Sequence, residues 1–427
     1  MPRFIGIKDN KIRIVSNNKI TSADLNIIPL HEQFDNVSAS DLILNYKFKD
    51  GSVLPKNRNV KDLKVALVTN FKMKCGIASY SQFLYSALVP YLGNFKLFIE
   101  KQDSYIEDIY KLGENTLSED QVLPCWKRGE PLDNLIKEIK NYDPDIVMIQ
   151  HEPGLWPNAR YWLTLMSQLS EYRVIVTMHS VYHHRDKTIC EAAMPEIITH
   201  LDGGKRVLKE EKQIPGKVYV IPHGSFPCTS REKLWNFYKS DHTFLQFGFG
   251  FRYKNWGDSI KAVALLKEKY PDIFFTGLFS ESDNNKIEHQ IYFNELIDLV
   301  NQLNVQNNVA IIRGYQSDVT LDSYLRTNQA TVFPYSSEKE HEVFGASGAA
   351  RFAMSKGVPV ITSSINHFSD LNTIKANNPK EIAEALDRCF SDPIFKENQI
   401  NNQINYLNET TWEKIALKHI EILSLKE

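Results

Sequence analysis

Cysteine is scarce: five residues in 427, Cys75, Cys125, Cys190, Cys228 and Cys389, odd in number and without a Cys-x-x-Cys pair. That excludes a disulfide framework and a structural zinc knuckle, and it fits a reducing compartment. Long hydrophobic runs are also missing. No stretch reaches the roughly 18 apolar residues a membrane span needs, and Met1 to Lys8 lacks the apolar core of a signal peptide. A cytoplasmic protein with no stable membrane insertion is expected. Neither sign of charge is in excess, because 50 Lys and Arg stand against 52 Asp and Glu for a net charge of -2. Extended nucleic acid is therefore not an expected partner, since it would require a broad cationic face. No internal repeat is visible, which excludes a solenoid.

What is present is the composition of a folded chain, with 42% hydrophobic, 11% aromatic and 24% charged residues. At about 150 residues per domain the length predicts two or three domains. Residues 1–60 read as a small β-rich appendage, with short alternating segments around Asp9-Asn10. From Lys64-Val65-Ala66-Leu67-Val68-Thr69 onward, compact apolar strands alternate with helical patterns. That rhythm predicts a parallel sheet covered on both faces, hence a Rossmann-like domain over 61–228. It pauses at the Pro- and Gly-bearing stretch after Pro222 and restarts at Thr243, predicting a second doubly wound α/β domain over 229–405. A C-terminal helix over 406–427 follows.

In open parallel sheets ligands sit beyond the carboxyl ends of the strands, so the loops there are the places to look. The first carries Cys75-Gly76-Ile77, where Gly76 opens a helix whose free N–H groups suit an anion. The second carries His151 and Glu152, and the third has His179 at a strand end with His183 close behind. A histidine there can hydrogen-bond a sugar hydroxyl or titrate near neutral pH, or it can simply be satisfied by backbone carbonyls. The spacing of His179, His183 and His184 is a metal face only on a helix, and no metal is expected.

The fourth loop, Gly248-Phe249-Gly250-Phe251-Arg252-Tyr253-Lys254, places two permanent cations after a glycine-rich strand exit. Arg252 and Lys254 together suit one diphosphate, and such charges stabilise a departing nucleoside diphosphate. The fifth is Glu342-Val343-Phe344-Gly345-Ala346-Ser347, a carboxylate followed by small residues opening a helix. It offers a hydroxyl acceptor beside backbone N–H donors.

Taken in order, these pieces resemble the family-4 glycosyltransferases, retaining enzymes of the GT-B type that use nucleotide-sugar donors. The resemblance runs from about Leu63 to the C-terminus and is strongest from Gly248 to Ile361. It implies two Rossmann-like domains facing across a cleft. By the same resemblance His179 contacts the donor sugar, Arg252 and Lys254 grip the diphosphate, and Glu342 contacts sugar hydroxyls. Gly76, Gly250, Phe344, Gly345, Ala346 and Ser347 line the donor site; His151, Glu152 and His183, in loops individual to this chain, are the acceptor-side candidates. One departure matters: the family's second glutamate, a clamp on the nucleotide ribose, falls on Ala350 or, counted back from Gly357, on Phe352.

The expected function is thus metal-independent, retaining transfer of a sugar from a UDP- or GDP-sugar to an acceptor that no pattern specifies. The nucleotide sugar is a co-substrate, and no other cofactor is expected. Two rivals share the architecture: a nucleotide-sugar epimerase, which lacks a visible acid/base carboxylate set, and a noncatalytic GT-B-like scaffold, favoured by the missing glutamate.

Overall fold

A computed structural model describes residues 4–8, 11–16, 26–29, 58–184, 195–229, 240–281, 285–336 and 342–425. Cys190 falls outside these; the other four cysteines are free. The chain divides into two compact units, residues 1–63 with 420–427, and residues 64–419. In the first, Phe4–Lys8 (β1) pairs antiparallel with Lys11–Ser16 (β2) and Asn26–Pro29 (β3). Lys8 lies opposite Lys11, so only Asp9 and Asn10 join the strands.

The second unit holds two parallel sheets. Its first half runs Lys64–Thr69 (β4), Gly76–Leu88 (α1), Asn94–Glu100 (β5), Val122–Trp126 (β6), Asp133–Tyr142 (α2), Ile146–His151 (β7), Ala159–Gln168 (α3), Arg173–Met178 (β8), Ser180–Tyr182 (β9), Glu196–Thr199 (β10), Asp202–Arg206 (α4) and Val218–Val220 (β11). Seven of these strands form one all-parallel sheet in the order β11-β10-β8-β7-β4-β5-β6. The apolar runs Val65–Val68 and Ile146–Ile149 are wholly buried, because helices cover both faces. The order reverses between β4 and β7, so the loops after those strands open a crevice at residues 70–76 and 152–155.

The second half repeats the plan with Thr243–Phe249 (β12), Trp256–Leu266 (α5), Phe274–Ser280 (β13), Lys286–Gln302 (α6), Val309–Arg313 (β14), Asp318–Thr327 (α7), Ala330–Phe333 (β15), Val343–Gly345 (β16), Gly348–Met354 (α8), Val360–Thr362 (β17), Ile374–Lys375 (β18) and Pro379–Ser391 (α9). Its sheet order is β14-β13-β12-β15-β17-β18, again all parallel, with the reversal between β12 and β15. Two helices follow, Pro393–Glu409 (α10) and Trp412–Ser424 (α11). Among the described residues, no helix is long and apolar enough to cross a membrane.

One small ribbon joins the halves. β9 of the first half pairs antiparallel with β16 of the second, Ser180 opposite Gly345 and Tyr182 opposite Val343. Phe344, opposite Val181, is 5% exposed and belongs to the hydrophobic core of the first half. A Cβ on Gly203 would come within 2.3 Å of its ring, so that position must be glycine for the ring to seat. Trp412 makes a similar crossing: its ring meets Tyr80 edge-on at 5.3 Å, and Ser225 bridges to Thr411 just before it.

Candidate active site

The two reversal points face a single cleft of about 1110 Å³, enough for a nucleotide sugar and an acceptor together. Of the residues singled out in the sequence, Gly76, Glu152, His179, Lys254, Gly345, Ala346 and Ser347 line it.

Lys254 is the most unusual of them. It is 8% exposed, and no acidic group is paired with its ammonium among the described residues. Its Nζ lies 5.4 Å from the centre of the Tyr335 ring and 6.0 Å from that of Phe249. Burial pushes its pKa down from 10.5 to about 8. The neighbouring backbone is arranged around it. Gly248 has φ +129, and a Cβ there would come within 2.6 Å of Nζ. The buried Gln246 side chain holds the Lys254 carbonyl at 2.9 Å and is itself held by Ser259 at 2.7 Å.

Arg252 requires a correction. Its guanidinium faces away from the cleft onto α6, donating to Glu288 at 2.6 Å and to both oxygens of Glu295 at 2.7 and 2.8 Å, and it lies over the Tyr292 ring. The pair of carboxylates raises its pKa further. Arg252, Tyr253 and Lys254 form one 3-10 turn. Side chains two residues apart on such a turn stand about 120° apart, and here the two cations have different surroundings, Arg252 on the carboxylates of α6 and Lys254 on the cleft wall. Arg252→Ala is expected to leave nucleoside diphosphate binding within about twofold of wild type, because this exposed ion pair adds little. A thermal-shift titration checks this, and loss of binding would return Arg252 to the diphosphate site.

Three other expected site residues are packing groups. Gly250 lies against Phe279, whose ring a Cβ would meet at 2.0 Å, and it does not line the cleft. Phe344 is the plug described above. His151 is 2% exposed, set edge-on to Trp162 at 4.7 Å, and burial lowers its pKa to about 3. For Phe344 and His151 burial follows from the register of β16 and β7, which turns each side chain into a core instead of toward solvent.

Glu342 and His183 meet each other at the end of the ribbon, outside the cleft lining. His183 Nε2 lies 2.9 Å from Glu342 Oε2, and its Nδ1 lies 2.6 Å from Glu211. These partners raise the His183 pKa, Glu211 foremost. The other Glu342 oxygen accepts from Asn366 at 2.5 Å.

Sequence reasoning missed what surrounds His179. His179, His200 and His223 cluster around the buried Tyr80, with ring centres 4.6, 5.2 and 5.1 Å from it. Burial holds all three imidazoles neutral, His200 with a pKa of about 4, and Arg351 opposes charge on His200 and His223. A signal existed, since His151, His179, His200 and His223 each stand at or just beyond the end of a parallel strand. Arg351, one residue beyond Ala350, also lines the cleft. It is 1% exposed, held by Asp370, Tyr406 and the Ser347 carbonyl. Tyr335, Tyr253 and His367 complete an aromatic wall beside Lys254.

Residues 230–406 match the family model described as glycosyl transferases group 1. The chain matches none of the curated proteins at a significant level. Among solved structures it is similar to Anabaena Alr3699/HepE in complex with UDP, with 14% identity, 85% of this chain and 100% of that chain covered, and a TM-score of 0.64. The Escherichia coli trehalose-6-phosphate structure bound with UDP-2-fluoro glucose gives 10% identity, 85% and 100% coverage, and a TM-score of 0.63. A glycosyltransferase from Rickettsia africae gives 16% identity, 85% and 98% coverage, and a TM-score of 0.61. The fold is GT-B, and the family match supports a glycosyltransferase domain over 230–406.

Proposed function

We propose that this protein is a metal-independent, retaining glycosyltransferase that moves a hexose from a UDP- or GDP-sugar to an acceptor bound on the side of Gly76 and Glu152. The observation that carries this reading is Lys254: a buried ammonium on the cleft wall with no counter-charge among the described residues. Burying a cation without a partner is costly, and a diphosphate removes that cost. The turn Gly345-Ala346-Ser347 lines the same cleft and supplies backbone N–H groups. The names of the similar structures favour UDP, since two were solved with UDP or a UDP-sugar.

In this reading Lys254 neutralises the charge that grows on the leaving nucleoside diphosphate. The leaving phosphate takes the acceptor's proton on the face it has just vacated, which retains configuration. His179 contacts the donor sugar. Closure of the halves about the β9–β16 ribbon excludes water and limits donor hydrolysis.

A panel of UDP-, GDP-, ADP- and dTDP-sugars, with and without a chelator, tests this by thermal shift and release of nucleoside diphosphate. One donor is expected to stabilise the fold and to be slowly hydrolysed, equally in the presence of chelator. No stabilisation by any donor would give the scaffold reading the lead, and loss of turnover on chelation would end the metal-free assignment.

A further inference from the structure

A nucleoside diphosphate brings a ribose into the cleft as well as its phosphates, and the ribose diol has two hydroxyl hydrogens to place. One carboxylate accepts both, since it has two oxygens and no hydrogen of its own. Rossmann-like folds commonly meet a ribose with an acidic side chain beyond a strand end. In the second half of this protein two acidic side chains line the cleft among the described residues, Glu281 and Asp318. Glu281 is taken by the Arg313 guanidinium, whose Nε lies 3.1 Å from it. Asp318 is left.

Asp318 stands in the first turn of α7, where it and Leu321, one turn on, both line the cleft. It is not the cap of that helix. Ser317 is, its Oγ accepting from the Thr320 N–H at 3.2 Å. The next acid along α7, Asp322, is occupied by Arg326 and Lys356, each at 2.6 Å. The Asp318 carboxylate has no hydrogen-bond donor among the described residues; desolvation and the Glu107 carboxylate raise its pKa, and Lys356 opposes them. An accessible acid in that setting gains most from a ligand that donates to it.

Its position suits the ribose. β12, β13 and β14 are neighbours in the sheet, so the exit of β14, which leads into α7, lies two strand spacings, about 10 Å, from the exit of β12, which leads to Lys254. A nucleoside diphosphate gripped at Lys254 spans that gap. α8 meets the same corner through Phe352, whose ring centre lies 4.5 Å from the Lys356 ammonium, while Ala350 is wholly buried. Neither of those side chains can accept from a hydroxyl.

We propose that Asp318 grips the ribose of the bound nucleotide, accepting from its 2′- and 3′-hydroxyls, and so selects ribonucleotide donors over 2′-deoxyribonucleotide ones. The clamp rests on the nucleotide-sugar function proposed above.

Calorimetric titration of the full chain with UDP and 2′-deoxy-UDP, and with GDP and 2′-deoxy-GDP, reads the selection as a ratio of affinities. The wild type is expected to bind the ribose form about 10- to 100-fold more tightly, the weight of one hydrogen bond to a charged group. Asp318→Ala should weaken the ribose form by at least that factor and bring the ratio to within about twofold of one. Asp318→Asn, of the same shape, carries the test should the alanine variant not fold; its neutral amide should lower the ratio at least about threefold. Ser317→Ala removes the helix cap and is expected to lower stability while leaving the ratio as in the wild type, which separates a clamp from a purely structural role. A wild type indifferent to the 2′-hydroxyl, or a preference that survives both Asp318 substitutions, would overturn the clamp and leave the transferase standing. Failure of the wild type to bind either UDP or GDP would instead sink the function on which the clamp rests, and the clamp with it.

Discussion

Lys254→Met is expected to lower turnover of the donor by about 10²- to 10³-fold, the scale on which a single preorganised charge-stabilising group acts. The same substitution should leave the ligand-free fold as stable as the wild type or more so. The ammonium is buried beside Tyr335 and Phe249 without an anion among the described residues, so replacing it with an apolar chain of similar length removes a penalty. Stabilisation by UDP or GDP should disappear. A variant that lost stability while still binding nucleoside diphosphate would show that Lys254 serves the fold and not the ligand.

The depressed pKa adds a pH dependence with a definite sign. Unfolded, the lysine titrates near 10.5; folded, near 8. Between those values the unfolded chain binds more protons, so this group makes the protein more stable as pH rises from 8 toward 10.5. Below 8 its burial penalty is present in full. A diphosphate favours the charged form and raises the pKa again. Binding should therefore take up a proton above pH 8 and weaken as the pH rises past it. Calorimetric titration in buffers of different ionisation enthalpy measures this uptake, and an affinity independent of pH across that window would refute the contact.

The second large effect is expected at Phe344. Its side chain leaves the second half of the GT-B fold and fills a site in the core of the first, between Val181 and the glycines at 203 and 204. Truncation to alanine should destabilise the protein by about 3–5 kcal/mol, the loss typical of a buried phenylalanine that leaves a cavity. Phe344→Leu should lose much less. Because the next residues, Gly345 to Ser347, line the cleft, Phe344→Ala should also weaken nucleoside diphosphate binding although the side chain never touches the ligand. Urea unfolding with and without UDP separates the two effects. Unfolding and UDP binding both like wild type would mean that the β9–β16 ribbon holds without its plug.

Much of this architecture is legible in the order of residues. Strands such as Val65–Val68 and Ile146–Ile149 are uninterrupted apolar runs because both faces of a parallel sheet are covered, and that signature survives without any tertiary information. The loops at 76, 179, 254 and 345–347 were likewise found because a doubly wound sheet places ligands after its strands, wherever the chain goes next. The direction of a side chain is another matter. Arg252 and Lys254 are equal as sequence, both cations after a glycine-rich strand exit, yet one is held by Glu288 and Glu295 and the other is buried in the cleft wall. Their partners lie 36 and 43 residues downstream or on a different strand, so no local pattern distinguishes them. The sequence by itself determined two βα-alternating halves and the loops that face a ligand, because periodicity and strand-end position are local properties. Only the tertiary structure decided which of those side chains reach the cleft, because that depends on contacts between residues far apart in the chain.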